Sequence, residues 1–261
     1  AIVSQLVSSP GIYCKKSVNK SGNLVTSTNV KPGRGAWIDF EEDQNGVLWV
    51  HIDRTRKLVA SVLLRGLGIG SDEEIAAIFD NHPVIKKTLE KDVTKSEEEA
   101  LVELSKRLRP GEVLNLKAIK KYINNLFYNP RRYDVSRVGR YKYNQKLSIA
   151  NRIENLELTR DIVMDGKVLA KAGDKLSLEQ AEAIQHAGVN EAYVKTKNGE
   201  FKVIGNNRAD LNKFLGVDAK EVGVKEWVHI PTLLDLVKDI KHPEERKEMI
   251  DFVNKRKDIK F

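Results

Sequence analysis

Residues 38–52, IDFEEDQNGVLWVHI, alternate apolar and polar side chains on either side of Asn45–Gly46. That is the pattern of two antiparallel strands around a tight turn. Ile38 and Phe40 share one face of the first strand, and Leu48, Val50 and Ile52 share one face of the second. Because strand side chains alternate with period two, a slip of one residue would send one of these sets to solvent. A two-residue Asn45–Gly46 loop would set Phe40 opposite His51 and Ile38 opposite Asp53, mixing the faces. A three-residue loop, Gln44–Asn45–Gly46 with Gly46 left-handed, sets Phe40 opposite Val50 and Ile38 opposite Ile52. The second register is the expected one. It places Trp37 opposite Asp53 on the polar face, with Asp39, Glu41, Trp49 and His51, and the cations Arg54, Arg56 and Lys57 follow at once. An indole in that position is either covered by another element or used for something.

The rest of residues 1–57 reads as strands, with turns at SPG, NKSGN and KPGRG. From Leu58 the spacing of Val59, Val62, Leu63 and Leu67 is helical, with Gly68 as a stop. Ser71–Asp80, Glu97–Leu108 and Leu116–Tyr128 are further predicted helices. Ser71 with Glu74, and Ser96 with Glu99, have capping-box spacing, and Asn115 suits an N-cap. NPRRYDVSRVGRYKYNQKL (129–147) is basic and aromatic without a clear period. Near residue 151 the character changes to a short hairpin over Asp165–Gly166, a helix from about Ser177 and a strand at Glu191–Lys195. After Pro231, TLLDLVKDI reads as a Thr-capped amphipathic helix followed by a charged tail.

The formal net charge of +8 favours an acidic partner, and the arginines gather at 54, 56 and 65, at 107 and 109, and at 131, 132, 137 and 140. Chemistry of other kinds finds little support. Cys14 is alone, which excludes an intramolecular disulfide framework and suits a reducing cytoplasm. The 5 histidines are scattered without zinc or triad spacing. RGLGIGSDEE puts Gly66, Gly68 and Gly70 before a helix, but Asp72, Glu73 and Glu74 would repel a phosphate there, so a turn is expected. No apolar run approaches the ~20 residues of a membrane helix. The opening AIVSQLVSSPGIYC starts without Met inside an apolar pattern, as a stretch cut from a larger chain would.

Five motifs then occur in order: VSQLVSSPGIY, RGAWIDFE, HIDRTRKLVASVLLRGLGIGSDEEI, RLRPGE and RRYDVSRVGRYKYNQKL. Together they resemble the lobe region of the bacterial RNA polymerase β subunit, of Gram-positive type, with the adjoining edge of the protrusion. IPTLLDLVKDI is similar to the next landmark of that family. The resemblance implies an α+β fold: a mixed strand-and-helix lobe core over 1–151, a small inserted β-rich module over 152–230, and a helical segment over 231–261. It implies one jaw of the DNA cleft, beside downstream duplex and the non-template strand. By the same resemblance Trp37 is a stacking platform for a non-template base, and Arg109 and Arg132 lie along that strand's path. Asp53, Arg54, Arg56 and Lys57 match the family's IDRRRK run, with Thr55 in place of its middle Arg. Ser8 stands where the family usually has an Arg lining a pocket for a flipped guanine. The implied partners are DNA, the α, β′ and ω subunits and a sigma factor, in the cytoplasm and without a membrane. The family holds its catalytic magnesium on β′, so no catalytic residue and no cofactor are expected here. The alternative is a protein-interaction module that docks sigma or another factor without touching DNA.

Overall fold

The computed structural model describes residues 8–18, 22–53, 55–197, 199–215, 218–220 and 224–238. Arg54 and most of the 231–261 segment lie outside the described residues. The fold is α+β, and the chain divides into two compact units, 1–139 and 140–261.

The first unit opens with a five-stranded antiparallel sheet in sequence order: β1 (Gly11–Val18), β2 (Leu24–Lys31), β3 (Ile38–Glu42), β4 (Leu48–Ile52) and β5 (Leu58–Val59). Its central hairpin takes the expected register, Ile38 opposite Ile52 and Phe40 opposite Val50. The turn explains why. Asp43 N donates to Val47 O at 3.0 Å and Gly46 N to Asp43 O at 3.0 Å, leaving Gln44, Asn45 and Gly46 as the loop. Gly46 has φ +74°, a conformation costly for any residue with a Cβ.

Five helices complete this unit: α1 (Ala60–Gly66), α2 (Asp72–Ile78), α3 (Pro83–Lys91), α4 (Glu97–Leu108) and α5 (Leu116–Phe127); α6 (Arg137–Leu147) begins at its end. Val50, Ile52 and Leu58 of the sheet pack with Val62 and Leu63 of α1, Leu101 and Leu104 of α4, and Ile119 and Ile123 of α5. A smaller cluster of Ile75, Ile85 and Leu89 sits under α2 and α3. The expected helices are present, except that Leu58 and Val59, expected to open α1, instead pair with β4 as β5; α3 and α6 are additional. His82 and Pro83 open α3 with a ring nitrogen as cap, which is not a usual start signal. α6 buries only Gly139, so no apolar stripe marks it. Ser71 and Glu74 form a complete capping box, whereas Glu99 Oε2 takes the amide of Lys95 at 2.7 Å and leaves Ser96 to cap α4 alone.

Arg65 does not belong with the surface cations its position suggested. Its side chain is fully buried, bonded to Gly70 O at 2.6 Å, to Asp92 Oδ2 at 3.3 Å and to Asp72. Asp92 also accepts from Ser61 Oγ at 2.5 Å and from the amide and hydroxyl of Thr94 at 2.8 and 2.7 Å. The glycine-bearing loop 66–70 thus wraps a buried guanidinium. A buried charge persists only when paired and hydrogen-bonded, and this one is.

In the second unit α7 (Ile149–Ile153), the hairpin β6 (Ile162–Met164) and β7 (Lys167–Ala170), α8 (Leu178–His186), and the pair β8 (Glu191–Thr196) and β9 (Gly199–Ile204) enclose a separate core. Asp165 and Gly166 both have positive φ, 49° and 76°, as a two-residue hairpin turn requires. Ile149, Ala150 and Ile153 belong to this core, so the contacts divide the chain earlier than the change of composition near 151. Gln185 is buried with its amide satisfied, accepting from Ser148 Oγ and Ala150 N and donating to Arg208 O. β10 (Arg208–Ala209), α9 (Leu211–Leu215), β11 (Val228–His229) and α10 (Ile230–Val237) follow. α10 starts two residues before Thr232; Pro231 fits its first turn, and the Thr232 hydroxyl meets His229 Nδ1 at 2.9 Å instead of capping.

Candidate nucleic-acid interface

Trp37 sits just before β3 and is 41% exposed. Asp53 fixes its backbone from across the sheet: Trp37 N donates to Asp53 Oδ1 at 2.8 Å, and Asp53 N donates to Trp37 O at 2.7 Å. Asp53 itself has φ +54°, which its short polar side chain tolerates better than most, and a turn from Thr55 N to Ile52 O follows. One step beyond the Val30–Ile38 pair, Lys31 stands beside Trp37, with Nζ 4.5 Å from the Trp37 ring and 5.2 Å from that of Tyr13. A cation over an indole is attracted by the ring quadrupole.

Two and three residues before Trp37, the chain is held by residues 130–134. Arg34 and Asp134 exchange backbone bonds at 2.9 and 2.8 Å, and Arg34 Nη2 donates to Pro130 O at 3.0 Å. Gly35, at φ +117°, lies so close that an added Cβ would stand 2.7 Å from Tyr133 Cδ2 and 3.0 Å from Arg132 O. Tyr133 packs edge-on against Phe127, with centroids 6.2 Å apart, and burial raises its hydroxyl pKa. Exposed Arg132 is therefore held two residues from the indole's own strand position by a glycine contact.

The remaining expected site residues are placed differently. Arg56 is exposed, just past the Asp53 turn. Lys57 lies over the Trp49 ring at 4.5 Å, and Trp49 Nε1 donates to Asp43 Oδ2 at 2.9 Å. Burial alone would raise the Asp43 pKa, but bonds from Trp49, Val47 and Asn45 and the charge of Lys57 outweigh it and hold the carboxyl below its ordinary range. Trp49 and Lys57 thus complete the hairpin tip. Arg109 ends α4, paired with Glu112 at 2.7 Å and lying 5.2 Å from the Tyr122 ring; no described contact joins it to the Trp37 group. Ser8 is exposed before β1 and likewise is not joined to that group by a described contact. Arg54 is outside the described residues.

The face is not uniformly basic. Asp39, Glu41 and Asp53 line an open depression of about 500 Å3 with Ser27, Asn29, His51 and Thr55. Among the described residues, no group of three or more His, Cys, Asp or Glu side chains is placed to hold a metal ion. No helix among them is long and apolar enough to cross a membrane.

What the fold defines is a strand-and-helix unit carrying an aromatic and cationic edge. The chain belongs to the family described as RNA polymerase Rpb2, domain 2, whose model matches residues 8–170. It is 44% identical over 251 residues to the DNA-directed RNA polymerase subunit beta of Clostridium botulinum (strain Loch Maree / Type A3), covering 95% of this chain and 20% of that subunit. The same identity and coverage hold for the subunit of Clostridium perfringens (strain 13 / Type A). The chain thus spans about a fifth, 20%, of the length of these relatives.

Two contributors escaped the sequence reading. Lys31 was hidden because KPGRG reads as a turn, although counting back from Ile38 through the β2–β3 pairing would have placed it next to Trp37. Tyr133 was visible in an aperiodic stretch, with nothing to connect it to Gly35.

Proposed function

We propose that this chain forms part of one jaw of the DNA cleft in a DNA-directed RNA polymerase, where it contacts the non-template strand and downstream duplex. The observation that carries this reading is the exposed, backbone-anchored indole of Trp37 beside Lys31, two residues after the Gly35 that packs on the Arg132 loop. Stacking asks only for a π-face, and every base has one. Phosphates would follow the Lys31, Arg56 and Arg132 side, since Asp39 and Glu41 repel them on the other. Arg109 extends the path along α4, and Ser8 supplies a hydroxyl where an Arg would supply charge. In the assembled enzyme the α, β′ and ω subunits and sigma are the partners, in the cytoplasm, and the catalytic magnesium is held by another subunit. This stretch holds DNA and does no chemistry on it.

A second reading, docking of sigma or another factor, is favoured by the acid-lined depression on the same face. Salt dependence of single-stranded oligonucleotide binding separates the two. If about three phosphates are neutralised at roughly −0.7 each, the log–log slope is about −2. Arg56→Ala should flatten it by about 0.7. A slope near zero would favour the protein-docking reading.

A further inference from the structure

On the face of the sheet opposite Trp37, a partly enclosed cavity of about 230 Å3 lies among the hairpin, α1, α2 and α3. Phe40 and Leu48 form its sheet wall, Ala60 and Leu64 its α1 wall, and Ile85 and Leu89 its α3 wall. Its lining draws on both apolar clusters described above. No polar atom faces it. The two hydroxyl side chains in its lining are already engaged: Thr88 Oγ1 donates to Val84 O at 2.6 Å and accepts from Leu48 N at 2.9 Å, and Ser61 Oγ donates to Asp92 Oδ2 at 2.5 Å.

Polar bonds join the walls at two places. Thr88 ties α3 to β4, while Arg65 ties α1 to Gly70, to Asp72 of α2 and to Asp92 after α3. The gap is therefore framed by polar bonds and lined by carbon. Water inside finds no hydrogen-bond partner in the side-chain lining, and an apolar group that displaces such water gains affinity. We propose that the cavity is a binding site for a small, uncharged aromatic or branched aliphatic molecule. An engineered cavity of about 150 Å3 holds benzene, so this one suits roughly nine non-hydrogen atoms. The site is independent of any DNA contact.

Ethylbenzene is the probe, with benzoate as a charged control of similar size, both titrated into the 261-residue chain. Ethylbenzene at about five times its Kd should raise the melting temperature by roughly 2–4 °C, and benzoate should not. Methyl resonances of Leu48, Leu64, Ile75, Ile85 and Leu89 should shift together. Ala60→Ile, which fills the space, should abolish both effects; if circular dichroism shows it unfolded, Leu89→Phe fills the space from α3 and takes its place. No saturable response, equal binding of benzoate, or shifts confined to other methyl groups would overturn the proposal.

Discussion

Replacing Trp37 by alanine asks directly whether the indole is a platform or part of a core. A tryptophan buries roughly 150–250 Å2 when fully covered. At 41% exposure, a little over half of that is covered here, on the order of 90–150 Å2. At about 25 cal/mol per Å2 this gives ~2–4 kcal/mol. Compact denatured chains lower such figures by about 10–40%, and alanine keeps part of the contact. The expected loss on Trp37→Ala is about 1–2.5 kcal/mol, against ~3–5 for truncating a core tryptophan. Urea unfolding of the chain followed by far-ultraviolet circular dichroism measures it. In the same variant single-stranded DNA affinity should fall about tenfold, the factor that ~1.4 kcal/mol of stacking represents. Trp37→Phe should recover most of the binding. A stability loss of about 3 kcal/mol or more, with binding unchanged, would return Trp37 to the core and end the platform reading.

Gly35→Ala should cost about 2–4 kcal/mol, from a left-handed backbone and a clash with Tyr133 and Arg132, and should weaken DNA binding while Trp37 and Arg132 remain in the sequence; unfolding and oligonucleotide titration check both effects. Arg65→Ala should cost ~3–5 kcal/mol by stranding buried Asp92, yet leave the salt slope of DNA binding unchanged; a flatter slope would mean that Arg65 reaches solvent. The folded Asp43 carboxyl sits below its ordinary range, so its contribution is complete above that range and is lost as the pH falls through the lowered value. Asp43→Asn should remove that part of the acid dependence, read from unfolding midpoints across the acidic range.

The hairpin was legible because period-two alternation and one glycine left a single register that sets all five apolar residues on one face, and Ile38, Phe40, Leu48, Val50 and Ile52 obey it. The α+β class followed from the same alternation giving way to three-four spacing. What stayed hidden depends on segments far apart in the chain. Arg34 meets Asp134, and Gly35 meets Tyr133, across 100 and 98 positions, and no local pattern announces such contacts. The burial of Arg65 is hidden for a related reason: its partner Asp72 opens α2 and its partner Asp92 follows α3. A charge next to other charges in sequence says nothing of the side from which its counter-ion arrives.

That same arginine governs how this part of the molecule opens. It joins three stretches of chain, 61–65, 70–72 and 92–94, through one fully buried guanidinium. None of the three can separate from the others without exposing a charge or orphaning a carboxylate, so they form one cooperative opening unit. Amide hydrogens around Leu64–Gly66 and at Thr94 should accordingly exchange with solvent at a common opening free energy, although they lie some 30 positions apart. The loop with three glycines, which looks like the loosest part of the sequence, would then be slow to exchange beside its anchor, and the exposed edge of the sheet would be the first to open.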